Sequence, residues 1–334
     1  MSEVAARPAH AAALHRHAII WDAHGGFSPF ADLDLSFLER WRAAGVTYLS
    51  VNVGYDHVIT WQDTIRAIAH FRRWIALHPQ KFLLAETTAD IARAKRDGKL
   101  ALAFDLEGTD ALDGNIEMIA FYHRLGVRQM LFAYNRTNAF AGGCHDEDIA
   151  LTPLGREALA EMNRIGMVVD CSHTSYRSTM EMMERSTAPV VFSHSNPRAL
   201  CDHGRNIRDD QIKACAATGG VIGINGVGAF LGDNDISAER MVEHIDYVVQ
   251  LVGARHAGLG LDYLPDVEEV PKLMARYPQA WPGYSAADMM ENRFAPPELL
   301  PEITNLLVAK GYADSDVRGI LGENFLRVAR QVWK

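Results

Sequence analysis

The sequence has little of what marks secreted, disulfide-linked or membrane proteins. Only four cysteines occur in 334 residues, and none is spaced as Cys-x-x-Cys, which disfavours a disulfide scaffold. No apolar run approaches the roughly 18 residues of a membrane span, and charged and histidine residues interrupt the first twenty positions, unlike a secretory signal. We therefore predict a cytoplasmic protein without a membrane partner.

Clustered positive charge is also missing. The chain has 33 Lys and Arg against 42 Asp and Glu, a net charge of −9, and the basic dipeptide Arg72-Arg73 falls in a predicted helix. Proteins that bind nucleic acid normally show a basic stripe, so we expect no such partner. The hydrophobic fraction of 48% is enough for one large α/β domain or two smaller ones.

Two neighbouring apolar segments end in the same way. Residues 166–173 read Gly-Met-Val-Val-Asp-Cys-Ser-His, and residues 188–194 read Ala-Pro-Val-Val-Phe-Ser-His. The polar stretch 174–187 between them suits a helix, which makes a βαβ unit with two parallel strands. His173 and His194 then lie at the carboxyl ends of neighbouring strands, where barrel active sites are found.

The alternation of strands and helices continues along the chain. Besides the two His-ended segments, strands are predicted at 19–21, 46–53, 100–106, 127–134, 220–225 and 257–262. Helices are predicted at 35–44, 61–77, 88–97, 116–125, 153–165, 209–218 and 237–252. Eight strands alternating with helices predict a (β/α)8 TIM barrel of the metal-dependent hydrolase type. An open doubly wound sheet is the alternative, but no Gly-x-Gly-x-x-Gly follows the first strand.

We expect residues 1–334 to form this single barrel domain, with an N-terminal segment, a loop at 264–297 and C-terminal helices. The loop follows the last strand, so it should lie over the barrel mouth. It is rich in aromatic residues, proline and methionine: Trp281, Pro282, Tyr284, Met289 and Met290. A lid over the mouth and a contact between subunits both remain open for it.

Polar residues close most of the predicted strands. They are His24, Glu107, Tyr134, His173, His194 and Asp262. Each has an ordinary structural interpretation alone, but a barrel brings all of them to one mouth. Imidazoles suit zinc, a carboxylate can bridge two ions, and zinc supplies hydroxide for attack on a carbonyl. Six further histidines follow no strand and are predicted at the surface or in helix packing: His15, His17, His70, His78, His123 and His244.

The loop after the sixth predicted strand carries Arg205. An arginine over the barrel mouth can hold a substrate carboxylate with two hydrogen bonds. A salt bridge inside the loop is the other interpretation.

These motifs resemble the membrane dipeptidase (renal dipeptidase) family, peptidase family M19, within the amidohydrolase-like barrels. The resemblance covers nearly the whole chain. The matching stretches are Asp22-Ala-His24, Asp105-Leu-Glu107-Gly, Met130-Leu-Phe-Ala-Tyr134-Asn135, residues 166–173, Val191-Phe-Ser-His194-Ser-Asn, Arg205-Asn206, residues 219–223 and Gly260-Leu-Asp262-Tyr.

The resemblance implies a site with two zinc ions. Glu107 matches the carboxylate that bridges them, His173 and His194 match the ligands of one ion, and His24 matches a ligand of the other. Asp262 matches the residue that handles the proton of the bridging water. The resemblance also implies a homodimer.

It further implies that Arg205 holds the terminal carboxylate of a small-molecule substrate, and we assign further substrate contacts to Tyr134 and Asn135. The expected function is hydrolysis of a small amide by metal-bound hydroxide. The substrate would be a dipeptide or an N-acyl amino acid with a free carboxylate. Asp262 would pass the proton of the water to the leaving amine, and Tyr134 would stabilise the oxyanion.

Two departures from the family pattern leave alternatives open. The usual first motif is His-x-Asp, but Gly26 stands at the Asp position, so one zinc ion instead of two is an alternative. Tyr134 stands where the dipeptidases carry a histidine. The rivals are therefore a mononuclear amidohydrolase acting on another amide or a cyclic amide, and a metal-free barrel that binds a ligand without catalysis.

Overall fold

The computed structural model describes residues 3–28, 33–282 and 285–334. Of the residues expected above the barrel mouth, Tyr284 and the side chain of Met289 lie outside the described part of the chain. Within these ranges, every helix is too short or too polar to cross a membrane.

In the described part of the chain, nine parallel strands form one sheet. They are β1 Trp21–Gly25, β2 Tyr48–Tyr55, β3 Phe82–Leu84, β4 Leu100–Glu107, β5 Val127–Leu131, β6 Val168–Asp170, β7 Val190–Phe192, β8 Val221–Ile224 and β9 Ala257–Leu259. Eight of them follow the order β1-β2-β4-β5-β6-β7-β8-β9, and β3 adds to β4 outside this path. Strand pairing keeps the chain order, with Trp21 opposite Tyr48 and Asp105 opposite Gln129.

The first and last strands meet and nearly close the sheet into a barrel. Gly25 bridges Tyr263 in parallel, and the Asp262 backbone N–H donates to the His24 carbonyl at 3.0 Å. The Leu261 N–H donates to the Asp22 carboxylate across the same seam at 2.8 Å. The predicted (β/α)8 TIM barrel is confirmed.

Helices surround the strands. Their bounds are α1 Glu3–His17, α2 Leu38–Ala43, α3 Trp61–Leu77, α4 Thr88–Asp97, α5 Glu117–Leu125, α6 Pro153–Ile165, α7 Tyr176–Arg185, α8 Asp209–Ala217, α9 Gly228–Leu231, α10 Ala238–Val252, α11 Val270–Arg276, α12 Ala286–Glu291, α13 Leu300–Ala309, α14 Asp314–Arg318 and α15 Asn324–Val332. The bounds of α3, α4 and α6 match the predictions, because hydroxyl caps begin them: the Thr152 hydroxyl accepts from the Gly155 N–H at the start of α6.

The structure differs from the prediction in several elements: β1 spans Trp21–Gly25 instead of 19–21, and helix α1 was not predicted. Strand β3 was not predicted, since three residues at the edge of the barrel give little periodic signal. Strand β5 ends at Leu131, so Tyr134 lies in the turn beyond it and not within the strand. Segment 264–297 contains the helices α11 and α12 instead of being loop throughout.

The turn after β4 holds Glu107 in place. Gly108 has a left-handed φ of +112°, and a Cβ there would lie about 2 Å from the Asp56 carboxylate. That carboxylate accepts hydrogen bonds from the Asp110 N–H at 2.7 Å and the Asn138 amide at 2.6 Å. The turn therefore needs both the conformational freedom and the missing side chain of glycine.

We expect Gly108→Ala to lower the free energy of unfolding far more than Gly98→Ala. Both glycines have positive φ, but nothing lies within 4 Å of a Cβ at Gly98. The control should cost about 1 kcal/mol for the left-handed backbone, whereas Gly108→Ala should cost about 3 kcal/mol or more, because the buried Asp56 must also move. Urea unfolding of both variants measures the difference, and equal losses would contradict this account.

Candidate active site

The carboxyl ends of the strands bring four of the predicted residues into contact. His24 lies on β1, Glu107 ends β4, and His173 and His194 follow β6 and β7. The Nε2 atoms of the three imidazoles lie 3.5, 3.1 and 3.3 Å, in that order, from one oxygen, Glu107 Oε1. All four side chains are buried.

Three of these atoms form a nearly equilateral triangle. His173 Nε2 and His194 Nε2 are 3.0 Å apart, and each lies 3.1 to 3.3 Å from Glu107 Oε1. Ligands about 2.0 Å from a tetrahedral zinc ion are about 3.3 Å from one another. The donor set and its spacing therefore fit a divalent metal with a fourth position left open.

The far nitrogen of each imidazole meets a polar group. His173 Nδ1 is 2.7 Å from Asn135 Oδ1, and His194 Nδ1 is 2.6 Å from Ser193 Oγ. His24 Nδ1 is 3.2 Å from Asp105 Oδ1. Such contacts fix the ring and its tautomer, as they do around metal-binding histidines. Sequence reasoning missed Asp105, although it precedes Glu107 by two residues and so shares its face of the strand.

Buried charge shapes the protonation of this group. Burial raises the pKa of Glu107 to about 8, against the opposing effect of His24. Burial lowers the pKa of His24, but Asp105 and Glu107 outweigh it and bring the value to about 10. Burial holds the pKa of His173 and His194 well below the usual range. These two imidazoles are therefore neutral, as metal ligands must be.

Asp262 lies beside His24 at the seam of the barrel. Its Oδ1 is 3.7 Å from His24 Nε2, and its Oδ2 accepts from the Asn225 amide at 2.9 Å. Burial raises the pKa of this carboxyl above its ordinary value. Its backbone has a left-handed φ of +53°, and those of Asn135 and His173 are both +60°. Left-handed non-glycine residues are uncommon and cluster at functional sites.

Arg205 is 3% exposed and lines the cleft above these residues. Its Nη1 donates to the Ser195 hydroxyl at 3.0 Å, and its Nη2 donates to the His194 carbonyl at 2.8 Å. Its Nε–H has no hydrogen-bond partner within the described ranges. Burial raises the pKa of Glu107 and Asp262, and the charge of Arg205 opposes this rise. A buried guanidinium whose Nε–H lacks a partner among the described residues suits an anionic ligand.

Tyr134 and Asn135 are linked to segment 264–297. The Trp281 indole N–H donates to the Tyr134 hydroxyl at 3.0 Å, and the Asn135 amide donates to the Ala280 carbonyl at 3.1 Å. Because Asn135 Oδ1 faces His173, both ends of its amide are engaged within the protein. Sequence reasoning did not identify the contact between Trp281 and Tyr134, which joins residues 147 positions apart.

A side chain at position 26 would point towards the site, as the alternation of residues continued from β1 predicts. A Cβ there would lie 3.5 Å from Asp262 Oδ1 but only 2.7 Å from a methyl carbon of Leu264. The space for the missing carboxylate is therefore partly filled by an apolar side chain.

A cleft of about 850 Å³, including space open to solvent, lies above these residues. Its lining combines the polar groups Glu107, Tyr134, Asn135, His145, His173, Arg205 and Asp262 with the apolar side chains Phe27, Val58, Val227, Phe230, Leu264, Val270, Leu273, Trp281 and Phe294. A concave site with few convergent polar groups is typical of small-molecule binding.

Comparison with known proteins supports this assignment. Residues 40–291 match the membrane dipeptidase family (peptidase family M19). The chain is 29% identical to dipeptidase tcpJ of Claviceps purpurea over 92% of this chain and 71% of that protein. It is 32% identical to an uncharacterized dipeptidase of Schizosaccharomyces pombe over 64% of this chain and 56% of that protein.

Comparison with solved structures supports the same assignment. The fold superposes on the crystal structure of an amidohydrolase from Pseudomonas aeruginosa with a TM-score of 0.88 and 27% sequence identity, covering 98% of this chain and 99% of the other. The chain therefore belongs to the membrane dipeptidase family, peptidase family M19, and is a metal-dependent dipeptidase.

Proposed function

We propose that the metal of this dipeptidase is zinc, held by Glu107, His173 and His194. The observation that carries the proposal is the triangle of donor atoms with edges of 3.0 to 3.3 Å. Neutral imidazole and carboxylate are common zinc ligands, and three protein ligands with one open position characterise a catalytic zinc site. The substrate is a small amide with a free carboxylate, most simply a dipeptide.

A second ion has less support from this chain. His24 Nε2 faces Glu107 Oε1 and Asp262 Oδ1 at 3.5 and 3.7 Å, but Gly26 supplies no ligand and Leu264 partly fills the space. Glu107 Oε2 also accepts from the Asn52 amide at 2.5 Å, so Oε1 alone faces the imidazoles. We propose one firmly bound zinc ion and a weak second position beside His24.

Zinc, when bound, polarises a carbonyl and lowers the pKa of a water towards neutrality. Asp262 then serves as the proton carrier, taking a proton from the attacking water and giving it to the leaving amine. Burial raises the pKa of this carboxyl, which makes it a stronger base than an exposed aspartate. The Asn225 hydrogen bond to Oδ2 leaves Oδ1 directed at the site.

Tyr134 donates to the oxyanion. Its hydroxyl oxygen accepts from the Trp281 indole, so its own hydrogen is available to the cleft. Burial raises the pKa of Tyr134 well above 10, which keeps the phenol protonated at neutral pH. A neutral hydrogen-bond donor held in this position can stabilise the oxyanion in place of a histidine, although without its positive charge.

Arg205 binds the substrate carboxylate. Its bonds to Ser195 and the His194 carbonyl fix the guanidinium plane and leave N–H groups to pair with an anion. Asn135 acts through the metal ligand: its contacts with His173 and Ala280 orient the imidazole instead of reaching substrate.

A mononuclear amidohydrolase acting on another amide or a cyclic amide is the second candidate, because both Gly26 and Tyr134 depart from the dipeptidase motif. Membership of an enzyme family argues against a non-catalytic barrel. We further propose a cytoplasmic location, consistent with four free thiols, and a homodimer, on the basis of the family resemblance alone.

Substitutions should separate metal binding from proton transfer. His173→Ala should lose most of the zinc and the activity, because it removes one corner of the triangle. Asp262→Asn should keep the zinc but lower kcat by roughly 10²- to 10⁴-fold, the usual contribution of a general acid–base. Mass spectrometry of bound metal and dipeptide hydrolysis measure both, with His78→Ala on the surface as the control. Normal turnover by Asp262→Asn would refute the scheme.

The number of zinc ions bound per chain should depend on the residue at position 26 and the space beside it. We expect one zinc ion per chain in the unmodified protein after dialysis against trace zinc. The double variant Gly26→Asp with Leu264→Ala should bind two, because it supplies the missing ligand and clears the methyl carbon 2.7 Å away. Leu264→Ala alone should stay at one. Two tightly bound ions in the unmodified protein would show that Gly26 does not weaken the second position.

Asn135→Ala should weaken zinc binding by about 10- to 100-fold, as loss of a group that orients a metal ligand does. The measurement is the zinc dissociation constant by competition with a chelator. At saturating zinc, KM for a dipeptide should be nearly unchanged. A large rise in KM with unchanged zinc affinity would instead make Asn135 a substrate-binding residue.

A further inference from the structure

One side of the cleft is an apolar wall, formed by Val58, Val270, Leu273 and Trp281. These side chains pack together with Tyr134 in one cluster, and each is at most 9% exposed. All four line the cleft. The wall combines the turn after β2 with the segment after β9.

Arg205 lies across the mouth from Val58 of this wall. The other wall residues follow β9 but pack in one cluster with Val58 and Tyr134. Arg205 follows β7, and its guanidinium carbon is 5.8 Å from the ring centroid of Phe230 in α9. Among the eight barrel strands, β2 is second and β7 is sixth. Positions four apart in a ring of eight are opposite, so Val58 and Arg205 project from opposite sides.

The proposed zinc ligands stand between the two sides. Glu107 ends β4 and His173 follows β6, and these strands lie between β2 and β7 in the sheet order. A substrate whose carboxylate pairs with Arg205 presents its scissile amide to this group. Its acyl half then extends across the mouth and meets the wall.

We propose that the substrates of this enzyme are amides whose acyl half carries a large apolar group, with the wall as its binding pocket. This inference rests on the proposed function and adds the substrate class. Among the described residues that line the cleft, the carboxylates are Glu107 and Asp262, both beside His24. A charged acyl side chain would be buried against the wall without a partner, which is unfavourable.

The test compares dipeptides on the zinc-loaded protein. We expect kcat/KM for Phe-Ala to exceed that for Gly-Ala and Asp-Ala by at least about tenfold, the scale on which an apolar pocket discriminates. Phe-Ala should also exceed Ala-Phe, because the pocket takes the acyl half. Equal rates for Phe-Ala and Gly-Ala, or a preference for Ala-Phe, would overturn the inference while leaving the dipeptidase proposal intact.

A matched pair of variants tests the wall itself. Leu273→Ala should lower the ratio of kcat/KM for Phe-Ala over Gly-Ala by about tenfold. Leu14→Ala is the control, because Leu14 and Leu273 are both 8% exposed and Leu14 lies in α1, away from the cleft lining. The ratio does not depend on the folded fraction of either preparation. An equal change in both variants would refute the wall as the pocket.

Two further measurements test the pocket separately from the hydrolysis of dipeptides. 3-Phenylpropanoyl-alanine is Phe-Ala without its α-ammonium, so turnover of both supports the apolar pocket, and their relative rates show whether N-acyl amino acids or dipeptides are preferred. If no amide is hydrolysed, the proposed function fails, and calorimetry with the same compounds decides the pocket. Tighter binding of Phe-Ala than Gly-Ala would support it, and equal binding would refute it.

Discussion

One carboxylate oxygen organises this structure. Glu107 Oε1 lies within 3.1 to 3.5 Å of three imidazole nitrogens, in a place where a charge without a partner would be strongly unfavourable. Four strands deliver these side chains, and Asp105, Asn135 and Ser193 fix the far nitrogens. The barrel thus holds a preassembled set of donors that a divalent cation stabilises.

The two residues that depart from the family motif, Gly26 and Tyr134, both lie against the same part of the chain. Leu264 occupies the space beside Gly26, and Trp281 donates to Tyr134. Segment 264–297 therefore touches each position at which the usual polar residue is replaced. Its side chains also form much of the apolar wall. One segment therefore surrounds both altered positions of the catalytic motif and lines the apolar side of the substrate cleft.

The sequence predicted the barrel and the convergence of the strand ends, because strand periodicity and the parallel βαβ unit are local patterns. Contacts made by distant loops could not be predicted in this way. The engagement of both ends of the Asn135 amide depends on Ala280, and the filling of the Gly26 space depends on Leu264. Neither leaves a local pattern, since each depends on how segment 264–297 folds back over the mouth.

The seam between the first and last strands has a kinetic consequence. The backbone hydrogen bond from Asp262 to His24 joins residues 238 positions apart. The side chains of the same two residues are also in contact. Contacts of such long sequence separation form late, because a large loop must close first. Closing this seam therefore carries a larger entropic cost than a local contact between neighbouring strands would. A cation that binds only the closed barrel would stabilise the native state by mass action.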